Sequence, residues 1–338
     1  MTLGDGIRRN VATVSQTERD RLRDAFIQLE TKKSFPDGVS YWDKQDEIHQ
    51  ATHVHAFFPW RGIAFLPWHR EICNRLEALL REVDPDLSLH YWDWTTDPRV
   101  SPDGAGSSVN LFSTGPNGFI GSAQGPAGPP LQDFPVTRNL GPGAPAVPAD
   151  MTIITTGDDS PASEQYRRMR NELEGAHNSV HGFIGGTIGN PHTSFEDPFV
   201  FLLHSNVDRL FAMWQLTPGK EWRLAPASVY GDESDTDTMP PPAIYDPGIV
   251  TPIDPWAGNP RNDARVTLVR PWAPPENQQT VKDYKHPSVV SPPSYDTRPE
   301  RSWDHIGHAN DVVGMTAINN KLFCATSDNR LWWRDPVP

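Results

Sequence analysis

Twelve histidines stand at positions 49, 53, 55, 69, 90, 177, 181, 192, 204, 286, 305 and 308, and the spacing of several suits metal chemistry. In HNSVH (177–181) two imidazoles fall at i and i+4. That spacing sets both on one helix face, where they can reach a single ion. His204 lies inside the apolar run FVFLLH, and His69 follows FLPW at the head of an apolar-striped segment. Either one alone reads as a buried core residue; beside a helical histidine pair both read as ligands. No cysteine or carboxylate occupies a matching position. An all-imidazole set suits copper, zinc or iron, whereas hydrolytic zinc and non-haem iron sites usually add a carboxylate. Three imidazoles per copper leave each ion an open face, and two such coppers can take up dioxygen between them.

These side chains need rigid elements behind them, and the sequence supplies helices. SQTERDRLRDAFIQLETKK (15–33) has Ser15 as N-cap, Glu18 in capping-box position, and Leu22, Ala25, Phe26 and Leu29 on one face. YWDKQDEIHQATH (41–53) predicts a second helix. A third begins near Pro67, carries Ile72, Leu76, Leu79, Leu80 and Val83 as its stripe, and stops at DPD. PASEQYRRMRNELEGAHNSVHGF (161–183) predicts a fourth, with Ser160 as cap and Pro161 in first position. Asp197-Pro198 opens a fifth, PFVFLLHSNVDRLFAMWQ, with N-cap and N1 proline. The 35 prolines concentrate in 98–161 and 217–299, which predicts irregular, extended chain there.

The net charge of −13 argues against nucleic acid or an anionic membrane as partner. No apolar run reaches membrane-spanning length, and the N-terminus has no apolar signal core. The expected location is the cytoplasm, or outside the cell by export without a signal peptide of its own. Cys73 and Cys324 are too few to form a disulfide framework. Near the C-terminus, VVGMTAI and KLFCATS flank Asn319-Asn320 and predict a β-hairpin. The segment resembles one repeat of a tectonin-type β-propeller, and one blade does not close a propeller. The expected organisation is a copper domain over 1–295, a linker over 296–302 and a partial propeller repeat over 303–338.

Three linked motifs carry a more specific resemblance. FLPWHREICNRLE (65–77), HNSVHGFIGG (177–186) and DPFVFLLHSNVDRLF (197–211) are similar to the two copper signatures of the tyrosinase family. LHYWDWTTDP (89–98) is similar to its tryptophan-rich segment. The family comprises the type 3 copper polyphenol and catechol oxidases and the molluscan haemocyanin domains, and the chain looks bacterial-type. The resemblance implies a mainly α fold: a four-helix bundle holding a dicopper centre, with long irregular proline-rich loops and a small C-terminal β-hairpin segment. It implies two copper ions as cofactor, dioxygen as co-substrate and a small phenolic substrate. Oxidation of o-diphenols to o-quinones is the expected reaction, together with ortho-hydroxylation of monophenols in some members.

Carried over position by position, His49 and His69 take the first and third places on the first copper, and His177, His181 and His204 hold the second. The family's second ligand stands nine residues before His69, where this chain has Trp60. Indole nitrogen is only a donor. HVHAFFPWRGIA reads as a lengthened loop whose ligand is His55; His53, at i+4 from His49, is the competitor, and a defective first copper is the third reading. Monophenol hydroxylation is tied in the family to an asparagine after the first histidine of the second site, here Asn178, and to a glutamate. Arg168 occupies the usual place of that glutamate, and Glu174, closer to His177, reads equally as a solvated helix residue. Arg70 and Asp208 read as an ion pair between the copper helices, and Arg209 as solvated or paired with Glu77. Two other functions stand beside phenol oxidation: a haemocyanin-like oxygen carrier, and a binding module with a degenerate copper domain whose C-terminal repeat recognises carbohydrate or a surface.

Overall fold

In the computed structural model the described residues are 4–34, 38–55, 65–115, 118–225, 229, 292–297 and the strands within 312–334; for 51–55 and those strands only the backbone is described. The chain divides into two units, Met1–Arg298 and Pro299–Pro338.

The first unit is mainly helical. Helices α1 (Gln16–Thr31), α2 (Asp43–His55), α3 (Phe65–Val83), α4 (Asp150–Thr155), α5 (Ala162–Ile184) and α6 (Phe199–Gln215) follow in order. Two small antiparallel ladders, β1–β2 (Ser101–Pro102 with Ser108–Val109) and β3–β4 (Gln124–Pro126 with Thr137–Asn139), punctuate the region between α3 and α4. α3 packs on α6 and α1, and α5 packs on α6, α4 and α3. α2 lies against a 3-10 turn, Ser194–Glu196, that leads into α6.

The helix ends follow the local signals with small shifts. Ser15 Oγ accepts from the Glu18 N–H at 3.2 Å, while the Glu18 carboxylate engages His90 Nε2 at 2.9 Å. α5 starts at Ala162 with Pro161 itself at the cap, so Ser160 stands one residue too early to serve. Asp197 Oδ1 accepts from the Phe199 N–H at 3.0 Å and opens α6. α4 lies within the proline-rich stretch and has no counterpart in the sequence reading, because six residues are too few to show a helical period.

α6 is buried along its whole length, so its sequence shows apolar residues all round. Trp42, Trp68, Trp92, Trp94 and Trp214 are fully buried around the bundle. Phe26, Phe134 and Phe201 meet the Trp42 ring edge-on at 5.4–5.5 Å, the geometry that suits aromatic quadrupoles. The tryptophan-rich segment is laced between α3 and α6: Glu77 Oε1 accepts from the Leu89 N–H at 2.8 Å, and Ser205 Oγ donates to Leu89 O at 3.1 Å.

The second unit is a three-stranded antiparallel sheet, β5 (Val312–Ile318), β6 (Lys321–Thr326) and β7 (Leu331–Arg334), in order β5-β6-β7. The expected hairpin is its first two strands, with Ile318 paired to Lys321.

Candidate metal centre and adjoining cavity

The centre is built from three helices. On α5, Glu174, His177, Asn178, His181 and Gly182 fall at i, i+3, i+4, i+7 and i+8, a continuous stripe. α6 contributes His204 and α3 contributes His69, each almost fully buried. His69, His177 and His204 bring ligand nitrogens within 4.8 Å of one another. His181 joins them: its Nε2 lies 2.9 Å from His177 Nε2, which lies 2.9 Å from His204 Nε2. The His69 and His204 rings stack at 4.6 Å with an interplanar angle of 4°.

The backbone decides which ring nitrogen faces inward. His69 Nδ1–H donates to Phe65 O, His204 Nδ1–H to Val200 O and His181 Nδ1–H to Ile188 O, each at 2.8 Å. His177 Nδ1–H donates to Asn178 Oδ1 at 3.0 Å. With the proton held on Nδ1, every Nε2 presents a lone pair to its neighbours. Lone pairs meeting at 2.9 Å with no proton between them repel, and a cation relieves that repulsion. Burial and the neighbouring imidazoles hold His177 and His204 well below the ordinary histidine range. Burial brings His181 down to about 4. All three are neutral at pH 7, the state a metal requires. The residues therefore fit a metal, and the all-nitrogen donor set fits copper.

The turn after α5 holds His181 by its carbonyl. Gly186 there has φ 56°, and a Cβ would lie 2.2 Å from Thr137 O, so only glycine fits. His49, on α2, stacks on Phe195 at 4.1 Å and 22°, with its ring centroid 6.3 Å from that of His69. The side chains of His53 and His55, and all of Trp60, lie outside the described residues, as do those of the C-terminal histidines.

A cavity of about 500 Å³ opens onto the imidazoles, lined also by Phe65, Glu174, Asn178, Gly182, Pro191 and Ser194. Gly182 leaves open space beside it. Glu174 belongs to this wall; its Oε2 lies 3.3 Å from Nη1 of the buried Arg170. Arg168, in the place of the family glutamate, is half-exposed and pairs with Glu164 at 3.1 Å. His192 is exposed next to the lining residue Pro191.

Two ion-pair groups clamp the helices that carry the clustered histidines. Arg70 Nε bonds Asp208 Oδ1 between α3 and α6, with both side chains fully buried, as the sequence suggested. Arg209 is neither solvated nor bonded to Glu77: it is buried, reaches Asp150 on α4 at 2.5 Å, and lies over the Tyr91 ring at 4.7 Å. Glu77 pairs instead with Arg8 at 2.9 Å and with Arg81 at 3.4 Å. Cys73 is buried, and burial pushes its thiol up, as befits a small core residue.

Comparison with known proteins bears on the same elements. The model of the common central domain of tyrosinase matches residues 39–217, more than half of the chain. The chain belongs to the tyrosinase family. It is 28% identical over 234 residues to the tyrosinase of Streptomyces glaucescens, covering 62% of this chain and 82% of that one. It is 29% identical over 226 residues to the tyrosinase-like protein tyr-3 of Caenorhabditis elegans, covering 63% of this chain but only 31% of that relative's length. Among solved structures, a functional unit of octopus haemocyanin matches with a TM-score of 0.55 at 16% identity, covering 97% of this chain and 81% of that one, which shows a shared fold. Among the described residues no helix is long and apolar enough to cross a membrane.

Proposed function

We propose that this chain is a dicopper phenol oxidase that converts o-diphenols to o-quinones, two diphenols being oxidised as one dioxygen is reduced to two waters. The observation that carries this reading is the convergence of four Nε2 lone pairs at the floor of a cavity that also holds a carboxylate and an amide. When bound, copper supplies the redox chemistry and the dioxygen site. The protein supplies the rest: His69, His177, His181 and His204 hold the metals, with their Nδ1 protons fixed on oxygen acceptors. His49 completes three places on one side with a further α2 histidine. α2 is helical through His55, so His53 stands one turn beyond His49, the relation that His181 bears to His177. That favours His53 for the place the sequence reading assigned to His55.

The cavity also supports ortho-hydroxylation of monophenols. A monophenol must lose its hydroxyl proton before its oxygen can serve as a donor, and a carboxylate acting directly or through one water can take it. Glu174 sits one helical turn before His177 and Asn178 lies between the two α5 histidines; Asn178 Oδ1 is held by His177, which leaves its NH2 as a donor. An oxygen carrier needs passage for dioxygen alone, so a cavity of about 500 Å³, with room for an aromatic ring, favours the enzyme.

Copper content with catechol oxidation tests the proposal. Two coppers per chain and quinone absorbance from catechol are expected. One copper or none, with no quinone formed, would overturn it. In the same assay His53→Ala is expected to lose one copper and His55→Ala to keep both; the opposite pattern restores His55 as ligand.

A further inference from the structure

One polar group in the cavity wall has no task in the chemistry above. Ser194, in the 3-10 turn before α6, lines the cavity and is 0% exposed, yet its Oγ has no hydrogen-bond partner. A buried hydroxyl left unsatisfied destabilises the fold, so alanine would be the more stable choice for packing alone. The backbone on either side is pinned. Thr193 Oγ1 donates to Thr187 O at 3.0 Å, the Glu196 N–H donates to Thr193 O at 3.0 Å, and Trp42 Nε1 donates to Glu196 O at 3.2 Å. Ser194 is thus held in the wall, and a guest in the cavity is what can satisfy it.

We infer that Ser194 is a specificity-determining residue that hydrogen-bonds a neutral polar ring substituent, so that the preferred substrates are phenols carrying a hydroxyl, amide or carbonyl group besides the oxygens that react. The inference rests on the phenol-oxidase reading above. The reacting oxygens belong to the imidazole-held centre, and Phe65 and Pro191 offer apolar contact to a ring. A cavity of about 500 Å³ has room beyond a single ring. A serine hydroxyl both donates and accepts, which suits an alcohol, an amide or a carbonyl alike. The selection follows the asymmetry of polar recognition: a site built to bond a group discriminates against the analogue that lacks it, because the buried partner then stays unpaired.

The test uses a matched pair that differs by one hydroxyl, 3,4-dihydroxybenzyl alcohol and 4-methylcatechol. For the copper-loaded chain the ratio of kcat/KM, alcohol over methyl, is expected to exceed one and to fall about 10-fold in Ser194→Ala, with Ser194→Thr keeping most of the preference. Calorimetric titration of the metal-free chain with the same two compounds gives a readout independent of turnover. The alcohol is expected to bind about 10-fold tighter to the wild type and no tighter to Ser194→Ala. Equal affinities in the wild type, or a ratio unchanged by Ser194→Ala, would overturn the inference. Failure to oxidise either compound would overturn the phenol-oxidase reading instead, while the calorimetric comparison still decides the role of Ser194.

Discussion

At the scale of single residues, the site depends on where protons sit. The four imidazoles of the cluster hold theirs on Nδ1 through bonds of 2.8–3.0 Å to oxygen acceptors, and that arrangement makes a cation the stabilising guest. Glu174 is the second determinant. Glu174→Gln keeps the shape of the wall and removes the proton acceptor. Monophenol hydroxylation is expected to fall at least about 10-fold, in keeping with the usual contribution of a positioned base, while diphenol oxidation changes less than about threefold. Parallel assays with a monophenol and its catechol check this, and equal loss in both would assign Glu174 a structural role. HNSVH was legible from spacing alone because one helix determines it. Glu174 was visible as a residue but not as part of the cavity, since a solvated helix face and a cavity face share the same period.

At the scale of elements, α2 and the 3-10 turn meet through acids. Asp46, one turn before His49, is buried; Gln50 Nε2 donates to its Oδ2 at 2.6 Å, and its Oδ1 has no partner. Burial first, then the nearby Glu196, raises its pKa from 3.8 to about 7. Glu196 is itself raised, by burial and then by Asp43. A carboxyl whose folded pKa lies above its unfolded value stabilises the fold most below the unfolded value, and that stability is lost as pH rises through the folded one. For Asp46 the window runs from about pH 4 to about pH 7. Asp46→Asn mimics the protonated acid. Its stability relative to wild type is expected to be near zero at pH 4 and to grow to about 2–4 kcal/mol by pH 8. Urea unfolding at the two pH values measures this, and a pH-independent difference would show that Asp46 does not titrate in this window. The bidentate Arg138–Asp197 pair, at 2.6 and 2.7 Å with both side chains fully buried, fixes the start of α6 in the same region. Its partners stand 59 residues apart in the chain, so no local pattern announces it.

At the scale of the first unit, its two ends close on the centre of the bundle. Arg8, near the N-terminus, reaches Glu77 and Asp208 at 2.9 Å, and its Nη1 donates to the Tyr295 hydroxyl at 3.0 Å. That hydroxyl lies 2.8 Å from Asp208 Oδ2 and 3.0 Å from Ser205 O, next to His204 in sequence. The Arg8 N–H donates to Ser294 O, and the Asp296 N–H donates to Arg8 O, so the two strands lie side by side. Tyr295→Phe is expected to cost about 1–3 kcal/mol by leaving buried partners unsatisfied, read as a drop in Tm with copper content retained. An unchanged Tm would mean that the clasp carries no stability. Copper itself is expected to stabilise the unit, since its ligands converge only in the folded chain. At 100 times its Kd the gain is about 2.7 kcal/mol. A thermal melt with and without a chelator checks this, and superimposable curves would count against the centre.

The sequence by itself determined the family, the order of the five longer helices and the four histidines of the cluster, because helical spacing and short motifs encode what lies within a few turns. It also placed Arg70 against Asp208, since each stands within a recognisable family motif. Tertiary structure alone decided that Glu174 and Ser194 belong to one cavity, that Arg209 turns to Asp150, and that Arg8 and Tyr295 meet over Asp208. Each of those facts joins elements far apart in the chain, and such contacts are set by how helices pack and which buried charges must find partners. The residues concerned carry no mark of it in their own neighbourhood.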